Sequence, residues 1–185
     1  MFARSSKFIA VAADSAAAGR NVAPRHGQVA IYEVGYDNKG NAYRLTQAML
    51  VGGHTRGVSS VSFAQDCIHL ALASKDGEWS VWRTDKKEPV EHARGAAASA
   101  PLECIALSPF ATRLIGSAGS QLHVFDVAAA TRGKKACLLE TIETAHRVVR
   151  TLSFSYDGLR ALTGGDDCKL RLWRLEDDDA KAGTI

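Results

Sequence analysis

Three residues near the carboxyl end of the sequence carry the side-chain types of a nucleophilic catalytic triad. His146 offers an imidazole that could act as a general base, Asp167 a carboxylate that could orient it, and Thr163 a hydroxyl that could attack a substrate. The pair Asp166 and Asp167 could instead join His146 as metal ligands. No third ligand stands at a usual metal-binding spacing, so the sequence does not predict a metal site here.

These residues belong to a segment whose pattern recurs along the chain. Residues 146–174 and 54–83 each contain three short apolar runs, separated by turn residues, in which apolar and polar side chains alternate. This period of two is typical of half-buried strands. Asp157–Gly158 supplies a tight-turn signal between the first two runs of the later segment, because this dipeptide tolerates positive φ. Each segment therefore predicts three consecutive strands.

Two further copies extend this pattern over most of the chain. A third copy predicts strands at 104–110, 113–118 and 121–126, and a partial copy opens the chain at 7–13 and 28–34. The third strand of each copy ends on an aromatic residue, at intervals of 50, 43 and 48 residues: Tyr32, Trp82, Phe125 and Trp173. A fourth candidate strand follows each of the first three aromatic residues. Four strands per repeat at this period indicate the blades of a β-propeller.

The composition excludes several classes of protein. The chain has 185 residues, of which 46% are hydrophobic and 23% charged, and 23 basic against 20 acidic residues give a net charge of +3. Such a chain is globular rather than disordered and does not indicate a strongly anionic partner. No apolar run approaches the roughly 18–20 residues of a membrane helix. The four cysteines form no Cys-x-x-Cys pair, which excludes the usual zinc-ribbon spacing and favours reduced thiols.

Two basic segments bear on nucleic-acid binding. Residues 20–26 and 132–135 are basic loops that could touch RNA or an acidic lipid surface. Charged loops are usually only solvated, and the net charge of the chain is small. We therefore expect protein partners rather than nucleic acid.

The repeats resemble the WD40 repeats of the transducin beta-like family. In the second copy Gly53–His54 precedes the first strand, Asp76 stands in the turn before the third strand, and Trp82 closes that strand, as in the family pattern. Leu72 stands where the family has a hydroxyl-bearing residue. The resemblance therefore implies only a partial hydrogen-bonded relay of His54, Asp76 and Trp82.

The last copy matches the family pattern more fully. His146, Thr163, Asp167 and Trp173 fall where the family places a buried His–Ser/Thr–Asp–Trp hydrogen-bonded set. Such a relay is physically sensible, because an imidazole can link a carboxylate to a hydroxyl and an indole N–H. The resemblance thus implies a structural role for the triad-like residues, and we predict no catalytic residues, no cofactor and no resident metal.

The resemblance also implies the domain organisation. We expect an all-β WD40 propeller segment over residues 1–174, followed by a flexible acidic tail over 175–185. The segment divides into about four blades, at residues 1–52, 53–97, 98–143 and 144–174. The first copy lacks a first strand and the last lacks an outer strand, whereas family members carry about seven blades. We therefore expect this chain to be the carboxy-terminal portion of a longer, seven-bladed protein.

Trp79 is a candidate partner-binding residue. It lies three residues before Trp82, so the two indoles cannot lie on the same side of a strand with period two. If Trp82 packs inward, Trp79 lies near a turn at one face of the disc, and a surface indole is a frequent anchor of interfaces. The alternative is that Trp79 packs between adjacent blades.

The function implied by the resemblance is that of a non-catalytic protein-interaction scaffold. It implies association with the cytoplasmic side of the endoplasmic reticulum through an amino-terminal anchor that this sequence does not contain, and with a stress-response kinase that controls translation. One alternative is a guanine-nucleotide exchange factor for a small GTPase of secretory trafficking. Another is a structural subunit of a large protein or RNA–protein assembly. The fold itself does not decide between them.

Overall fold

The structure, a computed structural model, describes residues 8–12, 27–36, 42–86, 88–97, 100–131 and 137–175. These residues form fourteen strands and one short helix, α1. The strands are β1 Phe8–Ala12, β2 Gln28–Tyr36, β3 Ala42–Gly52, β4 Val58–Phe63, β5 His69–Ser74, β6 Glu78–Arg83 and β7 Val90–Ala96. They continue with β8 Cys104–Leu107, β9 Arg113–Ala118, β10 Gln121–Asp126, α1 Val127–Thr131, β11 Cys137–Glu143, β12 Val149–Phe154, β13 Arg160–Gly165 and β14 Leu170–Arg174.

The strands form four separate antiparallel sheets, each built from consecutive strands. The sheet orders are β1-β2-β3, β4-β5-β6-β7, β8-β9-β10-β11 and β12-β13-β14. Each sheet is a meander of the kind that forms a propeller blade, and the described sheets do not close into a ring. The prediction of an all-β propeller segment of about four blades is confirmed.

The first strands of the last three sheets lie side by side, and serine hydroxyls join those of the second and third sheets. Strands β4, β8 and β12 are in contact and line a groove of about 300 Å³. Ser60 Oγ accepts a hydrogen bond from the backbone N–H of Ile105 at 3.2 Å, and Ser62 Oγ accepts one from Leu107 at 3.1 Å. These bonds fix the second and third sheets next to each other.

Apolar side chains on facing sheet surfaces form the core between consecutive blades. In the second sheet, Ala71 pairs with Val81 and Ala73 with Trp79, and all four are buried against the third sheet. In the third sheet, the corresponding face packs on the last sheet through three buried residues, Ile115, Leu122 and Val124. Alternation along each strand places these residues on one face, and burying that face against the next blade stabilises the stack.

The same face of the last sheet is exposed. Leu162 pairs with Leu172, and Leu170 pairs with Gly164, so the three leucines share one surface, here called the leucine face. Leu162 is 42% exposed, Leu172 is 66% exposed and Leu170 is 72% exposed. Leu172 and Leu170 lie one and three residues before Trp173, as the buried Val81 and Trp79 lie before Trp82. The leucine face is therefore an apolar blade surface with nothing packed on it among the described residues.

The prediction that Trp79 is a surface anchor is wrong. Its side chain is fully buried, its ring lies against Gly95, and its centroid is 5.1 Å from that of Phe125 in the next sheet. A Cβ atom at position 95 would come within 2.6 Å of the indole. Trp79 and Trp82 do lie on opposite faces of the strand, but both faces are covered by neighbouring sheets. The alternative, packing between adjacent blades, is what the structure shows.

Several predicted features lie outside the described residues. These are both basic loops and residues 176–185 of the acidic tail. Leu175, which the sequence places in that tail, is buried and donates its backbone N–H to the carbonyl of Leu159 at 2.9 Å. Among the described residues, no helix is long and apolar enough to cross a membrane.

Replacing Trp79 with alanine tests the blade-to-blade core. We expect Trp79→Ala to lower the free energy of unfolding by about 3–5 kcal/mol, because it empties a large, fully buried site. Chemical denaturation measures this change. Phe110→Ala is the control, since Phe110 is 77% exposed and should change stability by only about 0.5 kcal/mol. Equal effects of the two substitutions would contradict the packing described here.

Candidate functional site

The structure brings the four triad-like residues of the last sheet together in one chain of hydrogen bonds. Trp173 Nε1 lies 2.9 Å from Thr163 Oγ1, which lies 3.0 Å from His146 Nε2. His146 Nδ1 in turn lies 2.6 Å from a carboxylate oxygen of Asp167. His146 and Thr163 are both buried. The set ties the loop before β12 to strands β13 and β14.

The donors and acceptors of this set have one consistent direction. The indole N–H of Trp173 can only donate, so Thr163 Oγ1 accepts from it. With the imidazole proton assigned to Nδ1, the threonine hydroxyl donates to His146 Nε2 and Nδ1 donates to Asp167, while Arg171 Nη1 also lies 2.5 Å from Nδ1. Each hydrogen-bonding atom of the relay has a partner.

This geometry does not suit catalysis, although its order of bonds is that of a Ser–His–Asp triad. A nucleophilic oxygen must reach a substrate, but Thr163 is fully buried and its oxygen also accepts the indole N–H of Trp173. Gly165 packs so closely on the imidazole that a Cβ there would lie 2.5 Å from His146 Nδ1. The site is filled by its own side chains.

Asp167 ends the relay as a strongly stabilised carboxylate. Burial opposes its ionisation, but hydrogen bonds from His146 and Arg171 outweigh burial and hold the pKa of Asp167 well below its usual range. Arg171 Nη1 donates to the second carboxylate oxygen at 2.6 Å. The carboxylate is thereby held between an imidazole and a guanidinium.

The second sheet contains a relay whose hydroxyl the sequence reasoning missed. Ser80 Oγ accepts the indole N–H of Trp82 at 2.9 Å and lies 2.8 Å from His54 Nε2. Ser80 is the cross-strand partner of Leu72, so the hydroxyl comes from β6 instead of β5. Alternation could have identified it, because Ser80 lies two residues before Trp82 and therefore on the same face of β6.

The acidic end of this second relay is open. Asp76 Oδ2 is 3.7 Å from His54 Nδ1, which is too far for a hydrogen bond. The same oxygen accepts bonds from the backbone N–H and hydroxyl of Thr55 at 2.9 and 3.1 Å. His54 Nδ1 is buried and has no hydrogen-bond partner among the described residues. The structure thus joins His54 to Trp82 through Ser80, but not to Asp76.

The charges at this open end favour a neutral imidazole facing ionised carboxylates. Burial, and next the positive charge of Arg94, lower the pKa of His54. Burial opposes the ionisation of Asp76, but hydrogen bonds, first that from the backbone N–H of Glu78, outweigh it and lower the pKa of Asp76.

Removing the Ser80 hydroxyl tests the second relay. Ser80→Ala leaves two buried groups, His54 Nε2 and the indole N–H of Trp82, without this partner, so we expect a loss of about 1–3 kcal/mol in the free energy of unfolding. Urea denaturation gives the value. Ser153→Ala, at an exposed position of β12, serves as the matched control with a change of about 0.5 kcal/mol or less. A loss at Ser80 no larger than at Ser153 would refute the bridging role of the hydroxyl.

The first relay predicts a dependence of stability on pH. Because the pKa of Asp167 is lower in the folded than in the unfolded chain, its contribution to stability is complete above the unfolded pKa of about 4 and is lost as the pH falls further. Asp167→Asn should therefore flatten the decline of stability below about pH 4. Denaturation midpoints measured across this range test the point, and an unchanged acid slope in the variant would contradict it.

Comparison with known proteins agrees with this geometry. The WD40 family profile (WD domain, G-beta repeat) matches residues 46–83 and 137–174, which contain both relays' tryptophans. Transducin beta-like protein 2 of Homo sapiens is 34% identical over 155 residues, and that of Mus musculus is 31% identical over 153 residues. Each alignment covers 78% of this chain, which spans about a third (33%) of the length of these relatives. The chain belongs to the WD40-repeat family and is related to transducin beta-like protein 2.

Proposed function

We propose that this chain is a non-catalytic scaffold that binds protein partners. The observation that carries the proposal is that the residue set most suited to catalysis is used inside a blade: His146 and Thr163 are buried, and their polar atoms are bonded to Asp167 and Trp173. Kinship with WD40 proteins, which generally serve protein interaction, supports the same function.

The scaffold is proposed to act on the cytoplasmic side of the endoplasmic reticulum, in the control of translation under stress. The support for this finer proposal is the kinship with transducin beta-like protein 2 together with what the family resemblance implies. The partner of this proposal is a stress-response kinase.

A second candidate, a structural subunit of a larger assembly, is favoured by the leucine face. Leu162, Leu170 and Leu172 are exposed where the corresponding residues of the second and third sheets are buried against the next blade. Because the stacking of successive sheets continues up to this face, the occupant that fits it is a further WD40-type blade. In this case the chain is one part of a larger propeller surface.

Cross-linking affinity purification of the chain from stressed and unstressed cells tests the scaffold. We expect a translation-control kinase to be recovered, in larger amount under stress of the endoplasmic reticulum, and no effect of the chain on nucleotide release by small GTPases. Recovery of a small GTPase with faster nucleotide release would overturn the scaffold in favour of an exchange factor.

The variant Leu172→Glu separates the two candidates. A charge on the leucine face should leave kinase recovery unchanged if the scaffold binds through its loops. Loss of stoichiometric, salt-resistant partners in this variant, but not in Phe110→Glu, would instead support a structural subunit. Phe110 is the matched control because it is exposed in the turn between β8 and β9 and is not part of the leucine face.

A further inference from the structure

We infer that the open end of the second relay is a binding site for a divalent metal ion of the zinc class. His54, Asp76 and Glu78 each offer one ligand atom, and these atoms all lie within 4.8 Å of one another. His54 Nδ1 is 3.7 Å from Asp76 Oδ2 and 3.9 Å from Glu78 Oε2. Imidazole nitrogen and carboxylate oxygen are both zinc ligands.

The buried nitrogen of His54 points to a ligand independently of the acidic residues. The His54 side chain is 0% exposed, and its Nδ1 has no hydrogen-bond partner among the described residues. Leaving a buried polar nitrogen unpaired is costly, so an occupant that bonds to it stabilises the fold. An ion between Nδ1 and the two carboxylates would satisfy it.

The last sheet provides an internal comparison at the same place in the fold. There His146 Nδ1 is bonded directly to Asp167 at 2.6 Å, and Arg171 closes the other side of the carboxylate. The residue two positions after the aspartate is Lys169, whereas in the second sheet it is Glu78. One relay thus ends in a closed pair bound by a guanidinium, and the other ends in a gap with a second carboxylate.

The size of the gap suits a zinc ion after small movements. Zinc binds nitrogen and carboxylate oxygen at about 2.0–2.2 Å, which separates tetrahedral ligand atoms by roughly 3.3–3.5 Å. The observed separations of 3.7 and 3.9 Å exceed this by a few tenths of an ångström. The Glu78 side chain is 43% exposed, so it can rotate inward and leave a coordination position open to water.

The local charge also matches a divalent cation. Among the described residues, the Asp76, Glu78 and Glu91 carboxylates and the Arg94 guanidinium all act electrostatically on His54. Arg94 bonds Glu78 Oε2 at 3.0 Å, but Glu91 holds it through two further bonds of 3.0 and 2.8 Å. Glu78 can therefore turn to a metal while Arg94 keeps a partner. Three negative charges and one positive charge leave an excess of negative charge, which a divalent cation neutralises.

The relay itself fixes the imidazole in the form that binds a metal. With the proton on Nε2, His54 donates to Ser80 Oγ, and that oxygen accepts from Trp82 Nε1 with its second lone pair. Nδ1 then presents a lone pair to the ion. Ser80 thereby acts as the outer partner that orients a metal-binding histidine.

The test is zinc binding by the purified full chain, freed of metal with a chelator, and by two variants. We expect one equivalent of Zn²⁺ to bind by calorimetry and to raise the melting temperature. Glu78→Gln should weaken the affinity at least about tenfold, because even the loss of an outer-shell partner costs that much. Glu140→Gln is the control, since it removes one carboxylate at an exposed position of β11, in another sheet, and leaves the three ligands in place.

Cobalt substitution distinguishes this site from the thiols. Cys67, Cys104 and Cys168 are free, and thiolate ligands would produce intense sulfur-to-cobalt absorption that nitrogen and oxygen ligands do not. We expect weak visible bands without sulfur absorption, lost in Glu78→Gln and kept in Glu140→Gln. No zinc binding, equal binding by all three proteins, equal loss in both variants, or a sulfur-ligated cobalt spectrum would each overturn the inference.

Discussion

A hydrogen bond from an indole N–H organises both WD40 repeats that carry a tryptophan at the end of their third strand. In each, a hydroxyl accepts the indole proton and lies against a histidine from the loop before the first strand. Three separate parts of a blade are thereby fixed to one oxygen atom. With the interior of each blade fixed, its two apolar faces are left to pack against its neighbours.

The same constraint explains what the sequence could predict and what it could not. The repeat pattern predicted β9 and β10 with their observed bounds, Arg113–Ala118 and Gln121–Asp126, although both strands are buried on both faces and show no alternation of burial. Alternation also placed Trp79 opposite Trp82, but it could not show that a third sheet covers that side. Ser80 was not predicted, because the family pattern places the hydroxyl at Leu72 on β5. Ser80 on β6 is the cross-strand partner of Leu72 and supplies the hydroxyl instead.

The two relays show how one structural device can end differently. From the tryptophan to the histidine they join the same kinds of group in the same order, although the hydroxyl comes from opposite strands of the pair. Beyond the histidine they diverge, because Arg171 donates to the aspartate of one relay while Glu78 stands beside the histidine of the other. The shared bonds from tryptophan to histidine stabilise the blade. The carboxylate end differs, and in the second sheet it is the proposed metal site.

In each relay the hydroxyl, and not burial alone, protects the indole N–H from exchange with solvent. Hydrogen exchange of the Trp173 indole proton, followed by NMR in the wild type, Thr163→Val and Thr163→Ser, tests it most directly. We expect the Trp173 indole proton to exchange faster in Thr163→Val, by more than the change in global stability explains. In Thr163→Ser we expect the slow rate to return. An indole proton that exchanges no faster in Thr163→Val than global unfolding allows would show that the Thr163 hydroxyl does not protect it.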